Sequence, residues 1–387
     1  MPVVLGVDSS TQATKVEVRD ADEGRLLATG RAPHPPTTPP RSEQDPNAWW
    51  NALVDSVEQT GMRDIAAISV AGQQHGLVVL DDNGDVLRPA KLWNDTESAP
   101  EAARMVERFG AQSWAKACGS VPVASFTITK LAWLAQHEPE TFARVRAVLL
   151  PHDYLTYRLV GRFVTDRGDA SGTGYWSPAD NAWVPELLEQ TLGTGQVVWR
   201  DRLPTVLGPS DPAGVVTPEA CNELGLRGAI VCGPGTGDNM AAALGMALRP
   251  GDVALSVGTS GTVYTVSEAP SADPTGAVAG FADATGRFLP LVCTLNATLV
   301  TDAFARLISV DTETLDQLAL RAPSGSGGVV VVPYLDGERT PNRPDATGTI
   351  AGIRTDTGRE QLARAAFEGV VCGLLDGLDA LRAAARV

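Results

Sequence analysis

A glycine-rich turn with one acidic side chain separates a strand pattern from a helix pattern in the second half of the chain. The apolar run 229–232 is typical of a buried strand, and residues 240–248 have the composition of a short helix. Asp238 lies in the turn between them, at 233–239, which is where α/β proteins bind ligands. Its carboxylate can cap the helix or act as a general base, and this stretch alone slightly favours the cap.

Strand and helix patterns alternate along the chain, which predicts an α/β fold with a mainly parallel or mixed sheet. The chain opens with a predicted hairpin at 3–19, in which a turn of small residues joins two apolar strands. The same pattern returns at 253–266. We interpret this repeat as two related domains, 1–248 and 249–387, each opening with a hairpin turned toward phosphate. Two unrelated hairpins are the alternative, because Ser, Thr and Gly are common in turns.

Several stretches predict local structure. Asp45 and Pro46 predict the start of a helix, with Asp as the cap and Pro in the first helical position. Apolar residues at helical spacing predict helices at 127–137 and from Tyr154 to Val160. The segment 167–176 is rich in Gly and Ser and is predicted to be a loop.

The composition argues against several classes of protein. The 387 residues carry a formal net charge of −15, from 46 acidic and 31 basic residues, which argues against binding nucleic acid or an anionic membrane surface. A phosphate-bearing ligand remains compatible, because backbone amides and Mg²⁺ hold phosphates locally. The five cysteines include no pair at metal-binding spacing. With no signal peptide and no apolar run of about 18 residues, they predict a cytoplasmic protein with reduced thiols.

Two long, spaced patterns resemble the signatures of the FGGY carbohydrate kinases. The first covers 125–137 and the second runs from Gly348 to Glu368. The resemblance implies an α/β fold of two ribonuclease-H-like domains, as in the actin-like ATPases, with a catalytic cleft between them. That duplication agrees with the repeated hairpin.

Within the family, the chain is similar to members that phosphorylate D-xylulose with ATP and Mg²⁺. The stretches that carry this similarity are 42–50, 71–76, 87–95, 150–154, 238–239 and 334–341. One position departs from the family pattern, since the sugar-contacting pair is usually Met-His and this chain has Gln74 and His75. Another ketose such as ribulose, a polyol such as glycerol, or an aldonate such as gluconate therefore stays open as the substrate.

The resemblance implies a sugar site made of Gln74, His75, Asp238 and Asn239. Asp238 is the expected catalytic base for the terminal hydroxyl of the sugar, and Asn239 is expected to orient that sugar. Neutral polar side chains suit hydroxyl ligands because they both donate and accept hydrogen bonds. Weaker candidates for the pocket wall are Trp93 and Asn94; plain core packing is the alternative for Trp93.

The nucleotide side is expected to use both hairpin turns. Asp8 resembles the family carboxylate near Mg²⁺ and is expected to act through water, since hard cations prefer oxygen ligands; an Asx-turn is the alternative. Thr11 and Lys15 are expected near the β- and γ-phosphates, although Lys15 also fits a solvated strand position. Gly258 and Thr259 are expected to face the same phosphates from the second domain, where small side chains leave backbone N–H groups accessible.

Family members continue beyond the point where this chain stops, and that further part flanks the adenine. We therefore expect the second domain to be incomplete. The predicted final helix, from Arg359 to about Ala385, carries apolar residues at 3–4 residue spacing. Part of that apolar face is expected to stay open and ATP to bind weakly.

Two functions of other classes compete with that of a kinase. A non-catalytic sugar or nucleotide sensor on the same fold would be expected to lack the base, and Asp238 is present. A filament protein of the actin type would be expected to lack the sugar motifs. The expected partners are a small sugar and ATP, without nucleic acid or membrane, and the oligomeric state stays open, a homodimer included.

Overall fold

The computed structural model describes residues 2–193, 198–343 and 345–385. The strands of the first 245 residues are β1 Val3–Ser9, β2 Ala13–Asp20, β3 Leu26–Pro33, β4 Glu43–Gln44, β5 Ala67–Gly72, β6 Val78–Leu80, β7 Ala90–Lys91, β8 Ala147–Leu149, β9 Val164–Asp166, β10 Trp176–Ser177, β11 Ala182–Trp183, β12 Thr205–Leu207, β13 Gly214–Val215, β14 Val231–Cys232 and β15 Thr236–Gly237. Their helices are α1 Pro46–Thr60, α2 Ala99–Phe109, α3 Ala111–Cys118, α4 Thr127–His137, α5 Pro139–Arg144, α6 Pro151–Val160, α7 Arg167–Ala170, α8 Pro185–Leu192, α9 Pro218–Leu224 and α10 Asp238–Gly245.

The remaining described residues form a second set of elements. These are β16 Val253–Val257, β17 Gly261–Thr265, β18 Ala279–Ala282, β19 Phe288–Thr294, α11 Thr298–Leu307, α12 Thr312–Arg321, β20 Val330–Val332, β21 Thr349–Ala351 and α13 Arg359–Ala384.

The larger sheet has seven strands and contains the predicted N-terminal hairpin. Its order is β13-β14-β5-β1-β2-β3, and β15 also pairs with β5. β1 runs antiparallel to β2 and parallel to β5, so it lies in the interior of the sheet. The carboxyl ends of β1 and β5 and the start of α10 therefore meet at one edge, where an open α/β sheet binds its ligands.

Helix α1 covers this sheet and begins where the sequence predicts. Asp45 caps it by accepting a hydrogen bond from the Asn47 backbone N–H, and Pro46 occupies the first turn. It ends at Gly61, which has a φ of 66°, a backbone conformation that glycine adopts without steric cost. Its buried face, which includes Trp49 and Leu53, belongs to the main hydrophobic core of this half.

The second sheet is smaller and ends on an open strand. Its order is β16-β17-β19-β18, so β16 pairs with β17 alone among the described residues. Helix α13 packs across the middle of this sheet, and a side chain at Gly377 would come within 3.1 Å of Val292. The expected open face on this helix is present, since Val371 is 54% exposed whereas Leu374 is buried.

Three local predictions were wrong. Helix α6 begins at Pro151 instead of Tyr154, because proline fits the first turn of a helix. The segment 167–176 is a buried chain that starts with the short helix α7, which Asp166 caps through the backbone N–H groups of Gly168 and Asp169. Asp238 does not cap α10: Gly237 holds the cap position and Asp238 is the first helical residue.

Candidate active site

Asp238 lies at the N-terminus of α10, and its carboxylate is hydrogen-bonded to the next residue, Asn239. Oδ1 accepts hydrogen bonds from the backbone N–H of Asn239 at 2.8 Å and from the Asn239 side-chain amide at 2.9 Å. Burial and the negative charge of Asp169 raise the pKa of Asp238 to about 7. A carboxyl group with such a pKa takes up a proton readily near neutral pH, as a general base must.

Asn239 connects Asp238 to the predicted sugar turn. Its amide Nδ2 donates to the Gln74 Oε1 at 2.8 Å, so one amide joins Asp238 and Gln74. A side chain at Gly237 would come within 2.7 Å of the Gln74 Cγ, which shows how closely the two turns approach. The structure thus brings Gln74 next to Asn239, which follows it by 165 residues in the sequence, and so next to Asp238.

His75 lies in the same turn and is almost fully buried. It is 7% exposed and has a φ of 66°, an unusual backbone conformation for a residue with a side chain. Its ring packs between Phe126 at 5.1 Å and Phe281 at 5.4 Å, measured between centroids. Burial, with smaller contributions from Arg339 and Lys130, lowers the pKa of His75 to about 3, so the imidazole is neutral and can both donate and accept.

Several buried polar atoms around this turn have no hydrogen-bond partner among the described protein atoms. They are the Gln73 Nε2, Gln74 Nε2, His75 Nδ1 and Asn94 Oδ1. Buried polar atoms are nearly always satisfied in folded proteins, because leaving one unpaired costs about 1–3 kcal/mol. A ligand with several hydroxyl groups would supply the missing donors and acceptors.

The predicted phosphate residues of the first hairpin divide between two environments. Asp8 and Lys15 face each other across the β1–β2 ladder, with the Lys15 Nζ 3.1 Å from the Asp8 Oδ2. Both line a cavity of about 580 Å³ that Gly235 and Thr236 close from the other side. Thr11 instead turns toward Trp93, whose indole N–H donates to the Thr11 hydroxyl at 2.9 Å.

The predicted phosphate residues of the second hairpin are exposed. The carbonyl oxygens of Gly258 and Thr259 accept hydrogen bonds from the backbone N–H groups of Thr298 and Ala297, at the start of α11. Neither residue is among those that line the cavity beside Asp8. The described residues therefore do not bring the two predicted phosphate turns into one cavity.

One carboxylate cluster among the described residues is close enough to be considered for a metal ion. It consists of Glu43, Asp95 and Glu97. The ammonium group of Lys91 lies between them, 3.1 Å from Glu43 and 3.2 Å from Asp95, and also pairs with Glu97. This cluster is therefore a buried ion-pair network, since the lysine already supplies the positive charge.

A second set of buried charges packs against the turn that carries Asp238, and the sequence did not point to it. The His152 Nδ1 is 2.8 Å from the Asp169 Oδ2, and the Thr236 hydroxyl donates to Asp166 at 2.7 Å. In the sequence, the stretch 150–154 carries only part of the family resemblance, Asp169 lies in the predicted loop 167–176, and Asp166 directly precedes that loop. A histidine and three aspartates within 152–169 were the available signal.

Two family descriptions match the chain from end to end. The N-terminal domain of the FGGY family of carbohydrate kinases matches residues 3–245, and its C-terminal domain matches residues 253–387. The chain belongs to this family. Its expected fold, two actin-like ATPase domains, is therefore confirmed, as is its class as a carbohydrate kinase.

The relatives of this FGGY kinase are mostly of one kind. A xylulose kinase of Streptomyces rubiginosus is 50% identical over 381 residues, which are 98% of this chain and 76% of that protein. The crystal structure of a xylulose kinase from Bifidobacterium adolescentis has a TM-score of 0.88 at 42% identity, covering 99% of this chain and 82% of that one. A gluconate kinase from Lactobacillus acidophilus has a TM-score of 0.90 at 26% identity, covering 98% and 78%.

The family assignment leaves two points of the sequence analysis as predictions. The chain spans about three quarters of the length of the S. rubiginosus protein. The proposed domain boundary at 249–251 stays a prediction. The roles of the individual site residues also stay predictions. No helix within the described residues has the length and apolar character needed to cross a bilayer.

Proposed function

We propose that this chain transfers the γ-phosphoryl group of ATP to a hydroxyl group of D-xylulose, with Asp238 as general base. The observation that carries the proposal is the Asp238–Asn239–Gln74 hydrogen-bond series beside a buried, neutral His75. The xylulose kinase of S. rubiginosus, 50% identical over nearly the whole chain, supports the choice of sugar.

The residues of the first half perform the acceptor side of this reaction. Asn239 and Gln74 hold the sugar through their amides while His75 hydrogen-bonds another hydroxyl. Asp238 takes the proton of the terminal hydroxyl as that oxygen forms its bond to the γ-phosphorus and the bond to the β-phosphate bridging oxygen breaks. ADP leaves with the bridging oxygen, and the proton stays on Asp238 until solvent removes it.

The residues beside the cavity fit a phosphate–Mg²⁺ group. Asp8 offers a partly exposed carboxylate oxygen, and its charge also contributes to the raised pKa of Asp238, so a cation near both would relieve their repulsion. Lys15 supplies a positive charge at the cavity wall. Bound Mg²⁺ neutralises charge on the phosphates, and Asp8 would orient its water shell. In the 249–387 domain the backbone N–H of Thr259 would hold phosphate, whereas that of Gly258 already donates to the Ser260 carbonyl oxygen at 3.0 Å.

The variant Asp238→Asn tests the assignment of the base. We expect it to fold and to lower kcat by roughly 100-fold or more, in line with contributions of general bases. Asp252→Asn, an exposed carboxylate outside the proposed site, is the matched control and is expected to keep the original rate. A coupled assay of ADP release measures both, and turnover close to the original in Asp238→Asn would contradict the assignment.

The sugar itself is tested by a substrate panel. Gln74 departs from the usual family residue, and the gluconate kinase of L. acidophilus has the same fold with a TM-score of 0.90, so gluconate is the second candidate. We expect kcat/KM to be highest for D-xylulose when it is compared with ribulose, gluconate and glycerol at equal ATP. A higher value for gluconate would replace the proposed substrate and leave the proposed base in place.

A further inference from the structure

The buried cluster beside the turn that carries Asp238 joins three elements around the proposed site, namely α6, β9 and α7. His152 of α6 and Asp169 of α7 are both 0% exposed, and the His152 Nδ1 and Asp169 Oδ2 are 2.8 Å apart. Asp153 approaches the other ring nitrogen of His152 at 3.2 Å. Asp166 accepts from the backbone N–H groups of Gly168 and Asp169 and thereby fixes the start of α7.

Helix α7 lies directly against the residues on either side of Asp238. A side chain at Gly168 would come within 2.9 Å of the Met240 Cγ and 3.0 Å of the Thr236 hydroxyl. Thr236 also donates to the Asp166 Oδ2 at 2.7 Å. The turn that carries Asp238 is therefore held at residue 236 by a hydrogen bond and at residue 240 by packing.

The same segment also reaches the sugar turn. A side chain at Gly172 would lie 2.2 Å from the His75 Nδ1, so only glycine fits there. Burial raises the pKa of Asp169, and the nearby backbone N–H of His75 opposes that rise because it favours the charged carboxylate. The N–H and the carboxylate do not form a hydrogen bond of ordinary geometry. The segment that contains Asp169 thus packs against both the turn that carries Asp238 and the turn that carries His75.

We propose that Asp169 is a positioning residue for phosphoryl transfer: held by His152, its carboxylate sets the electrostatic environment of Asp238 while its helix fixes the turns of residues 74–75 and 236–238. The inference rests on the proposed function, in which Asp238 is the base. It assigns a purpose to a buried charge that touches neither ligand in the proposed site. Burying such a charge is costly unless it is paired, and His152 provides the pair.

The charges around Asp169 decide in which direction the pKa of Asp238 moves when the charge of Asp169 is removed. Its charged or titratable neighbours are His152, Asp153, Asp166, Tyr175 and Asp238. Burial alone would lower the pKa of His152, but Asp153 and Asp169 outweigh it and raise that pKa to about 9. Asp169 is the charge that contributes most to the raised pKa of Asp238 after burial. Removing it makes the Asp238 carboxylate easier to form.

The test is the pH profile of kcat for Asp169→Asn in the full chain, with D-xylulose and ATP saturating. We expect kcat to fall roughly 10- to 100-fold, as for small misplacements of reacting groups, and the acidic limb of the profile to move to lower pH. Asp153→Asn is the matched control, because Asp153 is equally buried and approaches the opposite nitrogen of the same ring. It is expected to leave the limb in place.

A lower kcat with an unmoved limb in Asp169→Asn would show a purely structural role and would overturn the proposal. If Asp169→Asn does not fold, Thr236→Val replaces it, since it removes the bond to Asp166 and conserves volume. That variant is expected to lower kcat with little change in the KM for sugar, and an unchanged kcat would overturn the proposal as well. Full activity of Asp238→Asn would instead overturn the proposed function, so the two failures are distinguishable.

Discussion

The two hairpins share a sequence pattern but differ in their surroundings. In the first, β1 lies between β2 and β5, and Val7 and Val16 are in the main core. In the second, β16 is bonded to β17 alone within the described chain, and Leu255 and Val257 are 52% and 54% exposed. The pattern of strand, small-residue turn and strand therefore specifies the hairpin, whereas the neighbouring elements decide what the hairpin can do.

The same contrast separates the two turns. Asp8 and Lys15 of the first hairpin line a cavity together with the turn that leads to Asp238. The second turn uses the carbonyl oxygens of Gly258 and Thr259 to accept hydrogen bonds at the start of α11. The side chains of the first turn therefore line a cavity, whereas the second turn is exposed and is bonded to α11 through its carbonyl oxygens.

The first prediction tests whether this structural difference between the two turns is also a difference in function. Asp8→Asn removes a charge at the cavity wall and is expected to lower kcat/KM roughly 10- to 100-fold, as for residues that orient a metal's ligands. Thr259→Ala leaves the backbone of its turn unchanged and is expected to change kcat/KM by less than about 2-fold, or about 0.5 kcal/mol of transition-state free energy. Steady-state kinetics with varied ATP measure both. Equal losses in the two variants would show that the turns are functionally equivalent.

The motifs pointed to residues that lie together in the structure, but they did not reveal the buried cluster that packs against them. Asp238, Asn239, Gln74 and His75 were singled out because they lie in motifs that resemble those of the family, and Asn239 hydrogen-bonds both Asp238 and Gln74 in the structure. The cluster of His152 and its aspartates was missed because the contacts of His152 with Asp166 and Asp169 form only when α6 packs beside β9 and α7. The composition of 167–176 favoured a loop, and burial of that segment depends on elements far away in the chain.

The second prediction concerns sugar affinity in the first half of the chain. His75→Ala removes a neutral imidazole whose Nδ1 has no protein partner, and it is expected to weaken D-xylulose binding by about 1–3 kcal/mol if a sugar hydroxyl is left unpaired. His137→Ala, at an exposed histidine on α4, is the control. Calorimetric titration with sugar and with an ATP analogue separates the outcomes, because equal losses for both ligands would mean that His75 acts through the fold.

The third prediction compares one substitution in the two hairpins. Val16→Ala removes buried methyl groups from β2 and is expected to lower the free energy of unfolding by about 1–3 kcal/mol. Val257→Ala makes the same chemical change at a 54% exposed position on β16 and is expected to stay within about 0.5 kcal/mol. Urea unfolding measures both values. A comparable loss in Val257→Ala would show that something covers the outer edge of β16 in solution.

The last comparison concerns pH and stability. Burial raises the pKa of Asp238 and Asp153 to about 7, whereas hydrogen bonds from Thr314 and Arg364 lower the pKa of Asp311 and Glu368 in the second half. A carboxyl group with a raised pKa holds its proton in the folded state when the unfolded chain has already lost it. Stability from that group therefore falls as pH rises from about 4 to about 7.

Asp238→Asn removes this dependence, because an amide does not titrate. The melting temperature of the variant relative to the original chain is expected to be higher at pH 8 than at pH 5, so the residue proposed as the base lowers stability where it is charged. Asp311→Asn is the control: its lowered pKa leaves Asp311 ionised at both pH values, and the difference should stay constant. A gap for Asp238→Asn that does not change with pH would mean that the carboxylate is solvated. The raised pKa, and with it the electrostatic contrast between the two halves, would then be wrong.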